Sequence, residues 1–148
     1  MEIKSILFPT DFSEGSSQAL QYAADIGRRY GARLYLLYVV HEIVEAGGWY
    51  IPHPSMNNIY KDLVKDAQKE LDGYGLEELK GLKDIERRVL RGSPHDEIVK
   101  FANDNKIDLI IIGTHGRKGI DRILFGSTAA YVVRLAPCPV LTVRLPKY

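Results

Sequence analysis

One stretch, Asp108 to Val143, constrains this chain more than any other. It opens with the apolar run Leu109-Ile110-Ile111-Ile112 and breaks at once into Gly113-Thr114-His115-Gly116. Gly126-Ser127-Thr128 then leads into an alanine- and valine-containing segment, Ala129 to Leu135, and the stretch closes on Val140-Leu141-Thr142-Val143. A short, continuous apolar run bounded by glycine reads as a buried parallel strand. A Gly-Ser-Thr step before a helical segment reads as a helix start, where a serine or threonine oxygen can cap free backbone N–H groups. Strand, glycine-rich loop and helix N-terminus in that order set unpaired donors and a positive dipole end beside the carboxyl end of a strand. That is a place for phosphate.

The remaining pattern alternates in the same way. Ile3 to Phe8 is a compact strand candidate halted by Pro9, which cannot donate to a sheet ladder. Ser13 or Ser16 can cap a first helix whose inward positions, Ala19, Leu20, Ala23, Ile26 and Tyr30, follow three- and four-residue spacing, with Gly31 ending it. Arg33 to Val40 is the second strand and Ile85 to Leu90 a third, near a sheet edge. Ile59 to Asp72 reads as a helix carrying Leu63, Val64, Ala67 and Leu71 on one face, bending at Gly73 and Gly75. Ser93-Pro94-His95-Asp96 starts another, with Ile98, Val99 and Ala102 inward. The segment from His41 to Asn58, with Gly47-Gly48, Pro52 and Pro54, is expected to be an irregular surface excursion anchored by Trp49 rather than a ligand lid. Strands alternating with helices imply βαβ units, right-handed crossovers and a parallel sheet covered on both faces, a three-layer α/β/α sandwich of five strands.

Composition limits the function classes. In 148 residues one domain, 1–148, is expected. A net charge of +1 creates no global field for nucleic acid or an anionic membrane, and no apolar run is long enough to span a bilayer. The single cysteine, Cys138, excludes an intramolecular disulfide and reads as a small buried apolar residue. The N-terminus shows no signal-peptide pattern, so cytoplasm is the expected compartment. No Walker A loop, paired carboxylates or Ser-His-Asp set can be assembled, and His41, His53, His95 and His115 show no metal-ligand spacing.

Gly113 and Gly116 enclose two residues, nine follow, and then comes Gly126-Ser127. This spacing resembles the G-x2-G-x9-G-S/T signature of the nucleotide-binding branch of the universal stress protein family. Ile6 to Ser13, Val89 to Pro94 and Pro137 to Val140 resemble its other landmarks, so the likeness spans nearly the whole chain. The resemblance implies an adenine nucleotide alpha hydrolase-like sheet of strand order 3-2-1-4-5. It implies ATP in the crevice between the strand 1 and strand 4 loops, with Mg2+ or Mn2+ held through the phosphates.

Carried over by position, the ligand-binding residues are Asp11, Val39, Gly113, Gly116, Gly126 and Ser127; Pro9 and Thr10 in the first loop and Thr128 at the helix start complete the candidate set. Asp11 takes the adenosine end, the Val39 backbone reads adenine, and Gly113, Gly116, Gly126 and Ser127 hold phosphates. From its type alone Asp11 is an Asx-turn residue. Arg117, Lys118 and Arg122 read as a solvated face. The resemblance also implies a homodimer through strand 5, Val140 to Arg144, and a role in stress response or signalling rather than rapid turnover. The alternatives are a slow ATPase or a nucleotidyl- or phosphate-transfer enzyme on the same site, and a structural dimer with a vestigial site. Flavodoxin and receiver domains fit less well: the glycines follow strand 4 rather than strand 1, and Asp11 stands without an acidic cluster.

Overall fold

A computed structural model describes residues 1–42, 54–114 and 126–144. Nine elements alternate along them: β1 (Ser5–Pro9), α1 (Glu14–Tyr30), β2 (Arg33–His41), α2 (Pro54–Asp72), β3 (Ile85–Gly92), α3 (Pro94–Asp104), β4 (Leu109–Gly113), α4 (Ser127–Leu135) and β5 (Val140–Val143). The five strands form one parallel sheet in the order β3-β2-β1-β4-β5. The expected α/β architecture and strand order therefore hold.

Each face of the sheet carries its own core, because successive side chains of a strand point to opposite sides. Ile6, Phe8, Leu34, Leu36 and Ile111 pack against Ala19, Leu20, Ala23 and Leu71, on the side of α1 and α2. Leu7, Tyr35, Leu37, Ile110 and Ile112 pack against Ile98, Phe101, Ala102, Ala129 and Val132, on the side of α3 and α4. The central strands are buried on both faces, which is why they read as unbroken apolar runs.

Element ends depart from the sequence reading where proline or a long side chain is involved. Pro9 does not stop β1 short but is its last residue, opposite Leu37 of β2. The chain expected to be irregular up to Asn58 is helical from Pro54, since proline fits the first turn of a helix whose N–H would be unbonded anyway. The Trp49 expectation falls on residues 43–53, outside the described residues. Tyr30, expected inward, is 45% exposed at the end of α1, and Leu63 is 46% exposed on α2. Gly31 ends α1 in the left-handed conformation, as expected. Residues 73–81 form turns rather than a continued helix, yet Leu79 returns to the core. Arg87, on edge strand β3, is half-buried and donates to the carbonyls of Leu71 and Tyr74, closing the end of α2. Cys138 is half-buried against the α3–α4 side, and burial pushes its thiol pKa up.

The β1–β4 pairing shapes the functional end of the sheet. It runs Ile6 with Leu109 and Leu7 with Ile110 and goes no further, although β1 continues beside β2 and β4 beside β5. Backbone groups alternate sides along a strand. The Thr10 N–H donates to Leu37 of β2, so position 9 faces β4, and proline has no N–H to offer the next rung. Beyond it the first turn of α1 lies against the end of β4. A Cβ on Gly113 would stand 2.9 Å from the Gly15 carbonyl oxygen and 3.1 Å from its carbon.

At the opposite end of the same pair, the Asp108 carboxylate accepts the N–H groups of Lys4 (2.8 Å) and Ser5 (3.0 Å) and so fixes the start of β1 on the start of β4. These bonds, the Lys4 N–H first, hold its pKa below the usual carboxylate range.

Two outcomes follow from these contacts. Gly113→Ala should lower stability by about 1–3 kcal/mol, read as an earlier denaturant midpoint, because backbone rather than a movable side chain is in the way. Asp108→Asn should cost about 1 kcal/mol at pH 7, after discounting a charged hydrogen bond for its exposure. A carboxylate made more acidic by folding contributes above its unfolded pKa and loses that contribution as pH falls through the native value. The wild-type advantage over Asp108→Asn should therefore shrink below about pH 4 in paired urea titrations.

Candidate functional site

Ligand crevices in open α/β sheets lie past the strand carboxyl ends where neighbouring connections leave to opposite faces. Here that place is between β1 and β4, because α1 covers one face and α4 the other. Pro9, Thr10, Asp11, Val39, Gly113, Gly126, Ser127 and Thr128 all belong to this end of the sheet. Gly116 lies outside the described residues, as do His115, Arg117, Lys118 and Arg122.

The loop after β1 is bonded closely to itself. Thr10 is buried, and its Oγ1 accepts the Phe12 N–H (3.0 Å) and the Ser16 hydroxyl proton (2.6 Å). Asp11 Oδ1 accepts the Ser13 N–H at 2.9 Å, the Asx turn its residue type suggests. Ser13 then caps α1 by accepting the Ser16 N–H. Phe12 takes a left-handed backbone, φ 63°, which costs a non-glycine residue about 1–2 kcal/mol. Its ring is stacked on Tyr38 at 4.7 Å and meets the edge of Tyr74 at 5.3 Å, contacts worth ~0.5–1.5 kcal/mol each beyond buried area. Packing therefore holds the strained turn in place.

Val39 presents its backbone to the crevice. The Leu37 carbonyl accepts from Thr10, so the N–H and C=O of Val39, two residues on, face the same way, past the last paired residue of β1. No backbone hydrogen bond joins them to a described residue beyond that point.

The two helix starts beside the crevice differ. At α1, Ser13 and Asp11 occupy donors, and Glu14 adds a negative charge to the first turn. At α4 the N-cap is Gly126, not Ser127 or Thr128, and among the described residues no side chain caps it. The Gly126 N–H donates to the Thr114 carbonyl (2.7 Å), tying the helix start to the end of β4. A Cβ at Gly126 would meet that same oxygen at 3.3 Å. Among the described residues no side chain thus occupies the backbone donors of the first α4 turn, and that turn contains no acid.

The sequence offered no Ser-His-Asp set, but the structure brings Ser93, His95, Asp96 and Tyr131 together where α3 meets α4. Tyr131 donates to Asp96 Oδ1 at 2.7 Å, and that carboxylate raises the phenol pKa. His95 lies 4.2 Å from the Tyr131 ring. Ser93 Oγ is 3.3 Å from both ring nitrogens, which puts it over the face of the imidazole rather than in line with either lone pair, so the ring is not placed to take its proton. Only the packing of α4 on α3 could have revealed this cluster. Among the described residues no three His, Cys, Asp or Glu side chains are grouped to hold a metal, and no helix is long and apolar enough to cross a membrane.

Comparison with known proteins agrees with this geometry. The model of the universal stress protein family matches residues 2–144. Universal stress protein MJ0531 of Methanocaldococcus jannaschii is 35% identical over 97% of this chain and 84% of its own length. The solved structure of MJ0577, also a universal stress protein of that organism, superposes with a TM-score of 0.84 at 28% identity, covering all of both chains. A universal stress protein solved in complex with cAMP is 27% identical, with a TM-score of 0.64 over 97% of this chain and 98% of that one. With its sheet order, its glycine spacing and a family match over nearly its whole length, the chain belongs to the universal stress protein family.

Proposed function

We propose that this universal stress protein binds ATP in the crevice between the loops after β1 and β4, as a member of the branch carrying G-x2-G-x9-G-S. The observation that carries the reading is the asymmetry of the crevice. Among the described residues nothing caps the α4 start and its first turn has no acid, whereas the α1 start is capped and bears Glu14. An anion is favoured at the first and disfavoured at the second. Phosphates therefore belong at Gly126, Ser127 and Thr128, with Gly113 and Gly116 in the same loop. The adenosine end belongs across the gap, at Asp11 and the free backbone edge of Val39. Pro9 and Thr10 shape that end rather than bond to it, since proline has no N–H and the Thr10 hydroxyl is engaged within the loop. The cAMP-bound relative supports an adenine nucleotide as the ligand class.

Magnesium or manganese would be held through the phosphates. The protein holds ATP for signalling or protection in a stress response rather than turning it over, acting in the cytoplasm as a single domain, 1–148. It forms a homodimer through Val140 to Arg144. In support of that surface, β5 ends the sheet with half-exposed, uncharged Val140, Leu141 and Thr142.

Acid precipitation of the protein as purified should release ATP or ADP near one per chain, identified by chromatography and mass. An empty protein that also gives no heat with Mg-ATP would overturn the reading. Gly126→Val should weaken Mg-ATP at least ~100-fold, about 2.7 kcal/mol, by filling phosphate space and pressing on the Thr114 carbonyl, while leaving the far-ultraviolet spectrum unchanged. Light scattering after size exclusion should give twice the chain mass at micromolar concentration; a monomer there would remove the β5 pairing.

A further inference from the structure

Asp11 lies in the loop after β1 and Val39 on β2, yet each adjoins one member of the same ring pair: Phe12 follows Asp11, and Tyr38 precedes Val39. We infer that the Phe12–Tyr38 stack is the positioning device of the nucleotide site, setting the spacing between the carboxylate and the backbone edge that take the adenosine end. The inference rests on the nucleotide reading above and adds to it a residue that touches no ligand.

The stack is near-parallel, 20° between planes at 4.7 Å, with Tyr74 closing the Phe12 edge at 72°. Tyr74 is itself anchored: its N–H donates to Leu71, its carbonyl accepts from Arg87, and its hydroxyl is 3.3 Å from Ser17 Oγ. Tyr38 is held in β2 opposite Val89. The Phe12 ring is thus gripped between a strand and the turn after α2, and that grip keeps residue 12 left-handed. The conformation of residue 12 in turn delivers the Ser13 N–H to Asp11 Oδ1. Loss of the ring frees φ at position 12 to relax, the Asx turn opens, and the Asp11 carboxylate loses its fixed relation to Val39. Preorganisation of this kind shows in affinity, because a mobile pair must be ordered when the ligand binds.

The test is calorimetric titration of Mg-ATP into wild type, Phe12→Tyr, Phe12→Leu and Phe12→Gly, with thermal midpoints measured alongside. Phe12→Tyr keeps the ring, so its affinity should stay within threefold of wild type. Phe12→Leu keeps apolar bulk without the ring, and Phe12→Gly removes the backbone strain without the ring; both should bind at least tenfold more weakly. Glycine decides between ring and turn: a bare left-handed turn is easiest for it. Wild-type affinity in either ring-less variant overturns the inference while the nucleotide reading stands. So does an affinity loss that tracks the thermal midpoint rather than the ring, with Phe12→Tyr as weak as Phe12→Leu. A wild-type protein that binds no Mg-ATP overturns the nucleotide reading, and the inference falls with it.

Discussion

The missing N–H of Pro9 is the constraint on which the rest of this end of the molecule depends. Through Leu7 and Ile110 the two central strands share a ladder, and one rung later they cannot. Separation there leaves space past the middle of the sheet instead of continuous pairing. Neither strand loses its other partner: β1 stays on β2 through Leu37, and β4 stays on β5 through Val143. The gap is therefore bordered by rigid strand ends. Gly113 completes the arrangement, because without a side chain it lets the backbone of Gly15 and Ser16 lie against the end of β4. Its smallness serves helix–strand packing first, whatever it also allows a ligand to approach.

The same logic separates the two helix starts. A helix N-terminus has the same backbone donors wherever it occurs, so neighbouring side chains decide whether they remain available. At α1 a serine and an aspartate occupy donors; at α4 a glycine does not. A one-residue shift changes the chemistry. With Ser127 or Thr128 as the cap, a side-chain oxygen would satisfy the first turn, whereas with Gly126 as the cap both hydroxyl residues sit within that turn.

Much of this was legible in the sequence, and the limits have physical causes. Buried strands declared themselves as apolar runs, helices as three- and four-residue spacing, and Gly31 as a terminator. Strand order was not legible from spacing, since nothing in a run such as Leu109 to Ile112 names its neighbours; it came through family resemblance. Prolines misled at Pro9 and Pro54, where position within an element matters more than residue type. Asp11 was legible as an Asx-turn residue, and its turn is present. Phe12 was not legible at all. Its left-handed backbone depends on rings 26 and 62 residues away in the chain, a tertiary effect that local propensity does not carry.

The two edges of the sheet differ in charge. β3 lies at one edge and is dense with charge, and those charges are engaged: Arg33 and Arg88 reach Glu86, and Arg91 reaches Glu42, each at 3.0–3.2 Å. Arg88 also lies over the Phe101 ring, and Arg91 over Tyr60. Pairing another strand there would require moving ordered cations, so that edge resists association. β5 at the other edge has no charged residue between Val140 and Val143. Its neighbour β4 is the strand that borders the crevice, and Thr114, at the end of that strand, bonds both to Val143 and to Gly126. The uncharged edge and the start of α4 are thus two backbone hydrogen bonds apart, both made by Thr114.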